Sequence, residues 1–346
     1  MSRVLVRGWG IVSPGGWGVE SLRTTLKQNE PVTPQAITCP GSSHTLSARV
    51  VPPPHVRPPF LAHPRVRRTS PISQYSAAAA LEALGTEADF TKPGAGRLGL
   101  VLCVMSGCVR YSRRFYDETL KDPATASPLV FPETVFNAPA SHLAALLGIQ
   151  TLSYTLIGDQ GTYLQGLAVA ADWLQSRRVE RCLVVGAEEV DWLVAESLYL
   201  FAPGASVSEG AGALCLGRGE AGEPGVELSL ITSPYPFADL KSRALAARSV
   251  RSELNGQNGQ HLLCDGLQGV QQLDREEAAA WSDWPGPRLS PKRLLGEAFT
   301  AAAAWQCVAA VDALATHNYA GADVSVVGSN QQAIAARFVK AEPCRP

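Results

Sequence analysis

The stretch YTLIGDQGTYLQGLAVAA, residues 154–171, decides the fold into which the rest of the chain must fit. Residues 154–157 are aromatic, β-branched or apolar, which predicts a short buried strand. Gly158 and Gly161 allow backbone conformations that other residues resist, so a sharp turn follows the strand. The apolar spacing in residues 164–171 then predicts a helix. The stretch therefore predicts a strand, a tight turn and a helix that begins at the turn.

The tip of this turn carries Asp159 and Gln160. Backbone N–H groups at a helix N-terminus favour an anion or a carbonyl oxygen, and enzymes place nucleophiles at turns of this kind. Neither an aspartate nor a glutamine is a usual nucleophile at such a turn. The pattern thus indicates the geometry of a nucleophile site without the nucleophile.

The turn resembles the nucleophile turn of the β-ketoacyl synthases, with Gln160 in the place of the cysteine. Four further segments resemble that family in the same order along the chain: VLVRGWGIVSP (4–14), RR followed by QYSA (67–77), CLVVGAE (182–188) and SEGAGA (208–213). Because the similar segments spread over most of the chain, the resemblance implies the fold of the family. That fold is a thiolase-like α/β duplication with five layers, α-β-α-β-α.

The pattern of the remaining chain is compatible with this fold. Predicted strands and helices alternate in both parts of the sequence, which implies parallel sheets covered by helices. The Gly- and Glu-rich segment 219–225 predicts the seam, with an N-terminal half at 1–219 and a shorter C-terminal half at 220–346. Residues 29–64 show no regular pattern, and their prolines predict an irregular surface segment.

Composition excludes several classes of function. With 30 basic and 31 acidic residues and no long basic run, the chain is not expected to bind nucleic acid. Its eight cysteines follow no disulfide or zinc spacing, which predicts reduced thiols, a cytoplasmic location and no metal site. The sequence shows no targeting segment and no uninterrupted apolar run long enough to cross a membrane, so no membrane association is expected.

The resemblance also identifies which catalytic residues have been replaced. Condensing enzymes of the family use a cysteine and two histidines, and the positions that match the histidines here are Asp265 and Glu297. A glutamine cannot form the acyl-enzyme. Two like charges about 4 Å apart at an effective dielectric of about 20 repel by about 4 kcal/mol, so two carboxylates are expected to oppose an oxyanion. The degenerate triad Gln160, Asp265 and Glu297 therefore predicts no catalysis.

Two kinds of family member carry glutamine at this turn. Loading-module decarboxylases keep the histidines, whereas chain-length factors lose them as well. The present chain departs in the second manner, so it resembles a chain-length factor or a similar pseudo-ketosynthase subunit. The resemblance implies an active β-ketoacyl synthase as heterodimer partner, an acyl carrier protein as a second partner, and no cofactor.

Matched positions in the family imply an interface that also lines the acyl tunnel. The residues concerned are Ser106, Gly107, Cys108, Tyr111, Ser112, Phe115, Tyr116, Phe136 and Asn137. Ordinary core and interface packing is an equally good interpretation of these side chains. A basic patch at 177–181 could meet an acidic carrier protein, although such a surface is usually just solvated.

Supporting roles and rival functions stay open at this point. Glu209, like Glu188, is predicted to brace loops, and Lys292 to act as a counter-ion. Asp159 could join Asp265 and Glu297 in a carboxylate cluster with its own chemistry. The rivals are therefore a free-standing hydrolase or decarboxylase that uses Asp265 and Glu297, and a homodimeric acyl-binding scaffold without chemistry.

Overall fold

The computed structural model describes residues 3–40, 45–85, 96–220, 222–254 and 259–341. The strands within them are β1 (Arg3–Ser13), β2 (Gly16–Trp17), β3 (Gln35–Ile37), β4 (Leu46–Arg49), β5 (Leu98–Val104), β6 (Ser153–Ile157), β7 (Arg181–Glu188), β8 (Val207–Ser208), β9 (Gly210–Gly219), β10 (Gly225–Ile231), β11 (Tyr235–Pro236), β12 (His261–Cys264), β13 (Arg288–Leu289), β14 (Gly321–Val327) and β15 (Gln332–Ala341). The α-helices are α1 (Val19–Gln28), α2 (Pro71–Leu84), α3 (Val109–Lys121), α4 (Ala138–Leu147), α5 (Thr162–Gln175), α6 (Trp192–Phe201), α7 (Leu240–Leu254), α8 (Gln271–Ala280), α9 (Pro291–Leu295) and α10 (Phe299–Thr316). Short 3-10 helices lie at Pro59–Ala62 and Phe131–Glu133.

One large mixed sheet contains the same five-strand pattern twice. Its order is β13-β12-β14-β15-β10-β1-β9-β7-β5-β6, with the short β11 and β2 attached at its side. From each outer edge inward the sheet has two parallel pairings and then two antiparallel pairings. Strands β1 and β10 pair antiparallel and join the two sets. This repeat is what a duplicated α/β architecture requires, while the domain boundary after residue 219 stays a prediction.

Helices α5 and α10 lie between the two sets of strands. Helix α10 packs on β9 and β7 of the first set and on β14 and β12 of the second, and it also contacts α5. Helices α2 and α4 cover the first set from outside, and α7 with α8 covers the second. The result is five layers with the order helix, sheet, helix, sheet, helix.

The central helix α10 owes its position to its composition. Most of its residues are alanine or other apolar types, so it has no polar face to present to water and is buried from Phe299 to Leu314. Within the described residues it is the one helix long and apolar enough to cross a membrane, and 89% of that apolar stretch is buried inside the protein. The apolar composition of α10 is therefore explained by its burial in the core.

Residues 154–157 form a strand as predicted, but the prediction that this strand is buried was wrong. Strand β6 lies at the edge of the sheet, where its described neighbour is β5. Tyr154 is 47% exposed and Ile157 is 57% exposed. Apolar composition indicated a strand but could not distinguish a core strand from an edge strand, because a protein partner can also cover apolar residues.

Residues 29–64 are more regular than the sequence suggested. Strands β3 and β4 pair there, and β8 completes a small three-stranded sheet. These strands are two to four residues long, which is too short for a periodic signal. Helices α7 and α8 were also missed, because their charged residues obscure the apolar face.

The cysteines that the structure describes are buried in the core. Burial raises the pKa of the Cys103 and Cys182 thiols above the ordinary value, so neither is poised as a thiolate. No group of three or more metal-ligating side chains is found among the described residues. Cys344 lies outside the described residues.

Candidate functional site

The turn between β6 and α5 holds Gln160 almost completely buried at the start of the helix. The Nε2 group of Gln160 donates to Ser329 Oγ at 2.8 Å, and the backbone N–H of Ser329 donates to Gln160 Oε1 at 3.1 Å. Both polar atoms of the amide are therefore engaged with one residue of another segment. A neutral amide held in this way has no lone pair suited to attack on an acyl group.

Asp159, also buried, is bound to the same segment. Its Oδ1 accepts from the backbone N–H of Gly161, while its Oδ2 accepts from the backbone N–H of Gln332 at 3.3 Å. Burial raises the pKa of the Asp159 carboxyl, and the hydrogen bonds from Gln332 and Gly161 oppose that rise. The contacts of Asp159 hold the turn in place.

Asp265 follows directly after β12. Ser290 donates to its Oδ1 at 2.6 Å, and the Arg288 guanidinium lies 3.9 Å from its Oδ2. Burial raises the pKa of this carboxyl, partly offset by Ser290. Ionised Asp265 cannot donate a hydrogen bond to an oxyanion as a histidine would.

Glu297 forms a buried ion pair. Lys292 Nζ lies 2.5 Å from Glu297 Oε2, and the backbone N–H of Phe299 donates to Oε1 at 2.8 Å. The pair removes most of the repulsion that the sequence suggested, because the lysine neutralises the carboxylate at short range. Both carboxylate oxygens of Glu297 therefore face donors of the protein.

A cavity of about 410 Å³ lies beside these residues. Glu297 lines it directly. Gln160 does not line the cavity itself but is hydrogen-bonded to Ser329, which does. Asp265 directly precedes the lining residue Gly266 in the chain. The structure therefore brings the three predicted positions around one cavity, with the side chains of Gln160 and Asp265 set back from its wall.

Sequence reasoning missed several residues of this wall. Arg243 on α7 donates to the backbone oxygen of Gly328 at 3.1 Å and to Glu276 on α8 at 2.7 Å, so it connects α7 with α8 and with the end of β14. Phe299 also lines the cavity and has a left-handed backbone with φ 44°. Residues 328–331 directly follow strand β14, and this position was a usable signal, because strand ends in α/β sheets commonly border ligand sites.

The predicted tunnel and interface residues lie elsewhere, in the turn before α3, on α3 itself and in the segment before α4. Gly107 has φ 62°, and a Cβ there would come 2.7 Å from the Phe136 ring. Ser112 donates to the backbone oxygen of Thr134, and Phe115 packs on Phe131 with ring centroids 5.4 Å apart. The structure thus brings the two segments together, but none of the nine predicted residues lines the 410 Å³ cavity.

Two buried glutamates hold the loops around this region. Glu188 accepts from the backbone N–H groups of Met105 and Ser106, and burial raises its pKa to about 7. Glu209 accepts from Tyr75 at 2.9 Å and from Arg110 at 2.7 Å. Their contacts lie within the protein and connect strands to loops.

Exposed apolar side chains lie on α3, on residues 129–136 and on the edge strand β6, and we call this set the β6 face; others lie on α6 and α7, among them Leu200, Phe201 and Leu240. The exposed residues of the β6 face are Tyr116, Leu120, Leu129, Phe131, Val135, Phe136, Tyr154 and Ile157. Soluble monomers rarely expose apolar patches of this kind unless the patch binds something. On its outer side β6 pairs with no strand among the described residues, so that side presents backbone groups that another strand could pair.

No protein-family model matches the chain, and no curated protein matches it significantly. Solved structures match it over nearly its full length. The ishigamide ketosynthase/chain length factor is 17% identical, with a TM-score of 0.79, covering 98% of this chain and 99% of that one. A ketosynthase in complex with its chain length factor from Xenorhabdus doucetiae is 12% identical, with a TM-score of 0.77 and 98% coverage of both chains.

A third match is a type II polyketide synthase acyl-carrier protein in complex with its ketosynthase bound to the hexaketide. It is 17% identical, with a TM-score of 0.76, and the alignment covers 98% of this chain and 99% of that chain. At such identities the similarity establishes the fold alone. The chain therefore has the thiolase-like α/β fold of ketosynthases and chain length factors, as the sequence resemblance predicted.

Proposed function

We propose that the chain is a non-catalytic ketosynthase-like subunit of the chain-length-factor type. It would pair with an active β-ketoacyl synthase and shape the tunnel for the growing chain in polyketide, aryl-polyene or fatty-acid-type biosynthesis. The observation that carries this proposal is the buried Gln160 amide, whose two polar atoms are both bonded to Ser329 at the turn where the family resemblance places the nucleophile.

The neighbouring residues support the absence of condensation. Catalysis of this type needs donors aimed at a developing negative charge. At the two matched positions the protein has carboxyl groups, and each of them is already held by a protein donor, Ser290 for Asp265 and Lys292 for Glu297. Neither position offers the neutral or cationic donor that an enolate would need.

The β6 face supports a protein partner. A sheet edge accepts a strand from another chain, and the apolar side chains beside it would be covered at the same time. Two of the similar structures are named for a ketosynthase and a chain length factor, which favours an active ketosynthase as the occupant over a second copy of this chain.

An acyl carrier protein is proposed as the second partner. The carrier protein named in one of the similar structures favours it. The basic patch at 177–181 remains a candidate contact, where Arg178 lies over the Trp173 ring at 5.9 Å. A cytoplasmic location and the absence of a cofactor belong to the same proposal.

Co-expression with an intact Cys-His-His ketosynthase from the same genomic neighbourhood tests the function. We expect a stable one-to-one complex by light scattering, and product formation from malonyl carrier protein only when both chains are present. The control is each chain alone at the same concentration.

The rival functions give different results in the same assay. Release of carbon dioxide from malonyl carrier protein by this chain alone would favour the free-standing decarboxylase, and hydrolysis of acyl carrier protein would favour the hydrolase. A stable homodimer that binds acyl groups and ignores the ketosynthase would favour the scaffold.

A further inference from the structure

The turn that joins β14 to β15, residues 328–331, covers the Gln160 elbow. We call it the β14–β15 turn. Its residues Ser329 to Gln331 are exposed, whereas Gln160 and Asp159 beneath it are buried. An exposed hairpin tip has little packing of its own to hold it, so its position depends on the bonds that it makes.

Those bonds come from consecutive residues of the elbow. Gln160 exchanges two hydrogen bonds with Ser329, at 2.8 and 3.1 Å. The backbone N–H of Asp159 donates to Gln331 Oε1 at 3.1 Å, and the Asp159 carboxylate accepts from the backbone and side chain of Gln332. The two segments are far apart in sequence, so these contacts connect the two halves of the sheet.

The two segments also approach more closely than most residues would permit at two glycine positions. A Cβ at Gly328 would lie 2.0 Å from Asp159 Oδ2, and a Cβ at Gly161 would lie 2.8 Å from Gln332 Cγ. Glycine thus leaves room for the Asp159 and Gln332 side chains on both sides of the contact. This is independent of the hydrogen bonds and indicates the same closed arrangement.

We propose that Gln160 is a positioning residue that fastens the β14–β15 turn over the elbow and so closes one end of the cavity. Ser329 and Asn330 of the turn line the cavity, and their placement follows from the bonds to Gln160. The residue that occupies the nucleophile position then has a role of its own. This role does not depend on a ketosynthase partner.

Residue-resolved hydrogen exchange at the Ser329 amide tests the proposal, because that N–H is bonded to Gln160 although its residue is exposed. Gln160→Met keeps the side-chain length and removes both bonds. We expect the Ser329 amide to exchange about tenfold to a hundredfold faster, since each lost hydrogen bond contributes about a factor of ten. Ser329→Ala, which removes one of the two bonds, is expected to have a smaller effect.

Two further variants separate the closed turn from a general loss of stability. Gly328→Ala leaves Gln160 in place but pushes the turn from Asp159, and it should speed Ser329 exchange as Gln160→Met does. The matched control Gln28→Met, on the exposed end of α1, should leave Ser329 exchange unchanged. Exchange in β7 and β9 should stay within about twofold of the parent in every variant.

The proposal is overturned if Gln160→Met leaves the Ser329 amide within twofold of the parent rate. It is equally overturned if β7 and β9 accelerate as much as Ser329, since Gln160 would then be a general core residue. Partner binding is measured separately on the same variants, so failure of this inference leaves the proposed function to its own test.

Discussion

The cavity and the β6 face are built in opposite ways. Around the cavity, the polar side chains of Gln160, Asp159 and Glu297 are buried and contact other groups of the same chain. On the β6 face, apolar side chains such as Ile157 and Leu129 are exposed beside an open sheet edge. The buried polar groups are thus bound within the chain, whereas the apolar side chains of the β6 face remain exposed to solvent.

The largest expected effect comes from a substitution in the buried ion pair beside the cavity. Lys292→Met leaves Glu297 buried without its counter-charge, which should lower the free energy of unfolding by about 3–5 kcal/mol. Urea denaturation measures it. The double variant Lys292→Met/Glu297→Gln should recover most of the loss, because a buried pair replaced as a unit is often nearly neutral. Equal stability of the single and double variants would contradict the pairing.

A substitution on the β6 face tests whether this exposed surface binds the ketosynthase partner. Ile157→Lys places a charge at the centre of the proposed contact and should weaken binding to the ketosynthase partner by about 2–4 kcal/mol, roughly 30-fold to 1,000-fold. Calorimetry or biolayer interferometry on the purified pair measures it. Leu245→Lys, an equally exposed apolar position on α7, serves as control and should bind like the parent. Equal weakening by both would remove the β6 face as the interface.

The burial of Glu277 makes the free energy of unfolding depend on pH. Burial raises the pKa of Glu277 to about 7, above its value in the unfolded chain, so its protonated form favours folding. This contribution is complete below about pH 4.5 and is lost as pH rises to about 7. In Glu277→Gln, the fall in unfolding free energy between pH 5 and pH 8 should be smaller than in the parent by roughly 2 kcal/mol. Parallel pH profiles would show that Glu277 does not titrate in this range.

The smallest expected effect comes from a substitution at the elbow itself. Gln160→Cys supplies a thiol at the elbow, yet we expect no condensation activity, because Asp265 and Glu297 remain at the positions of the donors. Product formation from acyl and malonyl carrier proteins by the isolated variant measures this. A covalent acyl group found by mass spectrometry together with new product would mean that the carboxylates are no obstacle.

Much of the architecture was predictable because it depends on local patterns. The elbow at Gln160 was predicted from an apolar run and two glycines, and the structure confirms a strand, a turn and a helix there. Helix α7 could not be recognised in the same way, because four basic side chains interrupt its apolar face. The neutralising role of Lys292 was expected, but its distance to Glu297 depends on how the short helix α9 turns the chain back.

The partners of Gln160 could not be predicted, since Ser329 lies 169 residues further along the chain. The exposure of β6 could not be predicted either, because a core strand and an interface strand have the same composition.

The sequence by itself determined the α/β class, the elbow and the presence of an amide side chain at its tip. These follow from the side chains and from spacing over a few residues. The tertiary structure alone decided that the amide is bound to Ser329, that Glu297 is neutralised and that β6 forms an open edge. Such outcomes depend on which distant segments meet, and local sequence does not encode those distances.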